Sequence, residues 1–236
     1  MSILIDCINA STEASDQTIK WLTAALQKQV TRDFAPVWGF GAQLFFVPKS
    51  GTPDPTHWQL VFLDNADVAG ALGYHDLTST GLPLGKVFIR TTELNGQAWS
   101  VTASHELMEM LVDPWVDSAV IQLNSDGTGT AYALEVCDAC EADSLGYVIN
   151  DFKMSDFVTP EWFGPPTLMP NTRYDFMGHI AQPLQLLPGG YIGAIQITSS
   201  SGWQQILGEG SKAEAPLGSR RHLRTIPRHQ RRLSNG

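Results

Sequence analysis

The stretch Ser100–Pro114, Ser-Val-Thr-Ala-Ser-His-Glu-Leu-Met-Glu-Met-Leu-Val-Asp-Pro, restricts this chain more than any other. At roughly 100° per residue, His105, Glu109 and Asp113 share one quadrant of a helix, with Glu106 and Thr102 beside them. Val101, Leu107, Met108, Leu111 and Val112 take the opposite side. The pattern predicts an amphipathic helix with an apolar back and a front of one imidazole and three carboxylates. Solvated helix faces usually mix signs so that Lys or Arg can pair with Glu. This stretch contains no Lys or Arg, so a divalent cation is the expected neutralising partner. The alternative is an ordinary polar helix face on which the motif arose by chance.

The remaining charge is split unevenly along the chain. From Lys212 onward seven Lys or Arg face one acid, Glu214, which leaves eight basic against 23 acidic residues, a balance of −15, in residues 1–211. A body that acidic is a poor nucleic-acid binder. The basic tail suits anionic partners or a return onto the body, and its Gly, Ser, Pro and Arg content from residue 209 predicts disorder. No apolar run is long enough to span a membrane and no signal peptide is seen, so a cytoplasmic location is expected. Three cysteines are too few for a disulfide framework. Cys137 and Cys140 form a lone CxxC that lacks the second ligand pair of a structural zinc site. They read as small loop residues, with a redox or metal role as the alternative.

Apolar and turn patterns give a coarse order of elements. Strands are expected at 3–8, 43–48 and 58–64, with a helix over about 14–31. Ala66–Pro83 reads as a long connection. Residues 85–90 read as an edge strand, because Lys86 and Arg90 place charge on a short, glycine-flanked segment. Beyond Pro114, residues 131–136 suggest a strand, 147–152 a hairpin around Asn150-Asp151, and 184–197 a hairpin around Pro188-Gly-Gly. Residues 155–183 read as aromatic, proline-rich loops. The acid-rich run from Glu135 to Asp143 holds Glu135, Asp138 and Glu141. There is no G-x-S-x-G, phosphate loop or G-x-G-x-x-G.

The order strand, helix, strands and then a helix with His105-Glu106-Leu107-Met108-Glu109 resembles the N-terminal half of zincin-type metallopeptidases, with HExxE where the family has HExxH. The flanks Ser104-His105-Glu106 and Leu111-Val112-Asp113-Pro114 also resemble a group of bacterial and phage proteins. The zincin resemblance covers roughly residues 1–114. It implies an α+β fold: a zincin-like mixed sheet with an active-site helix and a loop- and hairpin-rich C-terminal half, within a domain of residues 1–208 followed by the tail 209–236. It further implies His105 and Glu109 as metal ligands, Glu106 as general base, and a peptide or protein substrate held along the edge strand at 85–90, with Tyr74 and His75 lining the cleft.

A third ligand is then expected from Glu135, Asp138 or Glu141. The ion is expected to be zinc, with Mn²⁺ or Ca²⁺ suited to the extra carboxylates. Asp113 lies roughly 12 Å along the helix from His105, which gives it a supporting or helix-end role. His75, His179, Tyr147 and Tyr174 are candidate ligands or oxyanion donors. The expected function is metal-dependent peptide hydrolysis. The alternative is a non-catalytic binding or structural protein, in keeping with the phage resemblance, in which a metal only stabilises the fold.

Overall fold

Parallel strand pairing and a helix packed on one sheet face organise the first half of the chain. The computed structural model describes residues 3–165, 171–198 and 202–210. It shows an α+β fold. β1 (Ile3–Asn9) leads to α1 (Asp16–Lys28), a π-helical turn at Gln29–Phe34 and the short α2 (Ala35–Trp38). Then come β2 (Ala42–Val47), β3 (Trp58–Leu63), β4 (Gly73–Leu77) and β5 (Pro83–Phe88), followed by α3 (Ile89–Leu94) and α4 (Trp99–Val112). The second half holds β6 (Ala119–Leu123), β7 (Gly129–Ala133), β8 (Tyr147–Ile149), β9 (Phe152–Met154), β10 (Tyr191–Gln196) and β11 (Gln204–Leu207).

Five strands form the first sheet in the order β2-β1-β3-β5-β4, with β4 alone antiparallel to its neighbour. The register puts Ile5, Cys7, Leu44, Leu60, Phe62, Gly85 and Val87 on one face. Most of these join Ile19, Leu22 and Leu26 of α1 and Leu107, Met108 and Met110 of α4 in one buried cluster. Val136, Phe157, Trp162 and Ile192 from the second half belong to the same cluster, so both halves share a core. Ser15 caps α1 by accepting the Thr18 N–H at 3.0 Å. No helix among the described residues is long and apolar enough to cross a membrane. The tail expected to be disordered lies, from residue 211, outside the described residues.

Three expectations are corrected. The segment read as an edge strand, 85–90, is mostly β5, an interior strand bonded to both β3 and β4. The edge is β4, inside the stretch read as a connection. The charge of Lys86 is accommodated because its Nζ meets Asp67 Oδ2 and Tyr74 Oη, the latter at 2.7 Å. Arg90 lies beyond the strand, in α3, and pairs with Glu13.

The hairpin expected around Pro188-Gly-Gly is also absent. β10 pairs with β7 and β11, and the preceding turn docks on the 137–141 loop instead, with the Leu187 N–H on Ala139 O at 3.0 Å. A Cβ on Gly190 would stand 2.3 Å from that same carbonyl, so only glycine permits the approach. The strand expected at 131–136 is β7 at 129–133, with β6 as its unanticipated partner. The polar front of α4 is buried along with its apolar back: every residue from Ser100 to Leu111 except Thr102 is buried. Its polar front faces protein.

Candidate metal centre

α4 carries the central side chains and is held at three points along its length. At its start, Asp143 Oδ2 accepts the Ala98 N–H at 2.7 Å. Midway, Ser104 Oγ accepts the Ser155 N–H at 2.6 Å and donates to Val101 O at 3.1 Å. Past its end, Asp113 Oδ1 accepts the Asp117 and Ser118 N–H groups at 2.9 Å each. Asp113 thus has the helix-end role expected of it. Its grip shapes a turn in which Val116, a β-branched residue, takes φ +52°.

His105 is the point of convergence. Its Nε2 lies 3.1 Å from Glu109 Oε1, one turn on, and 3.2 Å from Asp138 Oδ1 in the 3₁₀ turn Asp138–Cys140. Donors around an ion at ~2.1 Å stand roughly 3.0 Å apart in octahedral and 3.4 Å apart in tetrahedral arrangements. The observed separations fall in that interval. His105, Asp138 and Glu141 form one group whose ligand atoms all lie within 4.8 Å of one another, while Glu109 meets His105 in a different group. Of the three acids expected to supply a third ligand, Asp138 meets His105 directly and Glu141 flanks it. Glu135 instead stands behind, 3.8 Å from His75 Nε2.

Cys137 also joins a triad with His105 and Glu109. Its thiol is pushed well above its ordinary value by burial and then by the charges of Glu109 and Cys140. What Cys137 visibly provides is its backbone N–H, donated to Glu109 Oε1 at 3.2 Å. One imidazole with several carboxylates suits Zn²⁺ or Mn²⁺ better than Ca²⁺, which takes oxygen ligands alone.

His75 sits deeper in the site than its place in an expected loop suggests. Gly73 and His75 pair in register with Val87 and Gly85, so they face α4. His75 is wholly buried, with Nδ1 3.7 Å from Glu106 Oε2 and 3.8 Å from Glu109 Oε2. The available signal was the alternation Gly73-x-His75, hidden by the reading of this stretch as a loop. Glu106 itself sits against the edge strand: a Cβ on Gly73 would stand 3.0 Å from its Cγ.

His105 and Glu106 open into a cleft of about 400 Å³, lined also by Gly73, Thr102, Glu141, Asp143 and Tyr191. Tyr147, expected as an oxyanion donor, is engaged elsewhere: its hydroxyl bonds Asp33 at 2.9 Å and Gln29 at 3.1 Å. Tyr174 is buried and is not among the cleft residues. His179 belongs to a separate group with Asp156 and Asp175. The chain matches no protein-family model, no curated protein and no solved structure.

Proposed function

We propose that this protein is a divalent-metal-dependent hydrolase acting on peptide bonds. In this reading His105, Glu109 and Asp138 hold the ion, with Glu141 beside them. The observation that carries it is the convergence of Glu109 and Asp138 on His105 Nε2 at 3.1 and 3.2 Å, at a cleft that His105 and Glu106 both line. Zn²⁺ or Mn²⁺ bound there supplies a Lewis acid for the scissile carbonyl and the attacking water. Glu106, one residue along the helix from His105, would take a proton from the attacking water and pass it to the leaving amine. His75 Nδ1 stands 3.7 and 3.8 Å from Glu106 and Glu109, a group that could itself share an ion.

An extended substrate fits along β4, the outermost strand on this side of the sheet. Leu72 and Gly73, at the start of that strand, line the cleft. Glu109 in place of a neutral imidazole would make a bound ion a weaker Lewis acid. Burial of the ligands favours a second reading. Glu109 and Asp138 are 0% and 2% exposed, and Glu109 is already bonded to the 137 backbone, so an ion here could simply tie α4 to the 135–141 segment.

Glu106→Gln separates the two readings. Hydrolysis of a mixed peptide library should fall by about 10²–10⁴-fold, with metal content measured by elemental analysis unchanged. Under the structural reading no hydrolysis is seen in either protein. His105→Ala should remove the metal under both. Wild-type protein that neither carries nor is stabilised by Zn²⁺ or Mn²⁺ would defeat both.

A further inference from the structure

His75, Asp113 and Glu135 take no part in the cleft. None of them is among its lining residues, and they are 0%, 0% and 2% exposed. They come from three separate places: His75 from the edge strand β4, Asp113 from the end of α4, and Glu135 from the segment that follows β7. Their ligand atoms nevertheless all lie within 4.8 Å of one another, with His75 Nε2 3.8 Å from Glu135 Oε2.

The imidazole gives the group its direction. A histidine that ligates through one ring nitrogen turns the other toward a carboxylate, which fixes the tautomer and raises the basicity of the ligating nitrogen. His75 has this disposition. Its Nε2 faces Glu135, while Nδ1 stands 3.7 Å from Glu106 Oε2 and 3.8 Å from Glu109 Oε2. The two carboxylates on the Nδ1 side belong to the cleft, which Glu106 lines and where Glu109 meets His105. That assigns the Nε2 side to an ion of its own. Asp113 is held as ligating carboxylates commonly are, its Oδ1 accepting the Asp117 and Ser118 N–H groups at 2.9 Å each. Charge gives an independent reason. Ionised carboxylates this deeply buried are costly unless they are paired or bind a metal. One divalent ion balances Asp113 and Glu135 with the imidazole neutral, whereas a proton on His75 balances only one of them. One imidazole with two carboxylates suits Zn²⁺ or Mn²⁺.

We propose that His75, Asp113 and Glu135 hold a second, structural divalent ion that pins the edge strand β4 to the end of α4 and to the segment after β7. The site is closed to solvent, as structural metal sites are. β4 has a sheet neighbour on one side only, so the ion supplies a tether that strand pairing does not. It needs neither the cleft ion nor turnover and stands or falls separately from the hydrolase reading.

The test counts ions in the full chain, refolded from urea with excess ZnCl₂ or MnCl₂ and then desalted. Elemental analysis should give two ions per chain for wild type and one for His105→Ala, which empties the cleft site alone. Adding His75→Leu, which removes the donor and keeps the bulk, should take the count to zero. A measurement with His75 intact covers the case in which that double variant does not fold. In His105→Ala, Zn²⁺ should raise the urea midpoint and slow amide hydrogen exchange in Gly73–Leu77, by about 100-fold at an ion concentration 100 times the dissociation constant. One ion per wild-type chain, lost in His105→Ala, overturns the proposal and leaves the cleft centre standing. So does an ion that survives His75→Leu, or one whose binding leaves exchange in β4 unchanged. Two ions without peptide hydrolysis, the second lost with His75, uphold the proposal and overturn the hydrolase reading. No ion in wild type overturns both.

Discussion

Gly73 decides how closely α4 approaches the edge strand. A Cβ there would stand 2.6 Å from Thr102 Cγ2, 2.8 Å from Lys86 O and 3.0 Å from Glu106 Cγ. A backbone carbonyl cannot swing aside, so Gly73→Ala should cost about 1–3 kcal/mol of stability, read as a lower urea midpoint. The displacement of Glu106 should also lower any turnover. Gly85 makes a useful contrast, because its Cβ would meet chiefly the Leu60 side-chain end at 2.8 Å. Gly85→Ala should therefore shift the midpoint less. The thiols give a second prediction at this scale. Burial pushes Cys7 up to about 12. Burial, followed by nearby carboxylates, holds Cys140 well above its usual value. Folded protein at neutral pH should leave all three free cysteines unmodified by iodoacetamide, and denaturant should expose all three. Rapid labelling of Cys137 or Cys140 in the native state would revive a redox role for the CxxC pair.

α4 depends on bonds that reach it from distant segments. Ser104 Oγ is the acceptor for the Ser155 N–H, and both residues are buried. Ser104→Ala leaves that N–H without its acceptor in a site closed to water, at a cost of about 1–3 kcal/mol. Ser104→Thr keeps a hydroxyl and should recover part of the loss if the extra methyl is accommodated; equal unfolding midpoints for Ala and wild type would refute this account. The helix was legible in the sequence because its residue types and its chemistry share one period. His105, Glu106 and Glu109, and Asp138 as one of three acids with Glu135 and Glu141, stand out as candidates because carboxylates and imidazole are conspicuous in an apolar context. β4 was not legible, since a strand bordering a polar site carries Gly73, His75 and Asp76 in place of apolar alternation. β5 was mistaken for the edge because charge on a strand marks exposure only when its partners are unknown; Asp67 and Tyr74 receive Lys86. The 188–190 turn misled for a similar reason. Gly190 serves contact with Ala139 and not a hairpin.

At the scale of the whole molecule, the buried carboxyl group of Asp156 ties the C-terminal loops to the shared core and sets a pH dependence. Asp156 is pushed up to about 8, chiefly by burial and then by its hydrogen bond to Asp175 and that group's charge. The Phe157 and Met177 N–H groups pull the other way, donating to its Oδ1 at 2.8 and 3.1 Å. Asp175 in turn accepts the His179 and Ile180 N–H groups at 2.8 Å each. The His179 ring stands 3.3 Å from Asp156 Oδ2, and Phe157 stacks on Phe176 across the same junction. A carboxyl group raised on folding binds its proton more tightly in the native state. Its contribution is therefore complete below the unfolded value near 4 and is lost as pH rises through about 8. Self-repulsion in the acidic body also grows with pH, so the wild-type curve alone would not isolate Asp156. Asp156→Asn does isolate it: the amide mimics the protonated group, keeps an oxygen for the two N–H donors and offers a donor to Asp175. Urea midpoints measured at pH 5, 7 and 9 should fall more steeply for wild type than for Asp156→Asn, with the two closest at pH 5. Parallel curves would show that Asp156 is ionised throughout, and that the loop junction is held by backbone bonds and ring stacking alone.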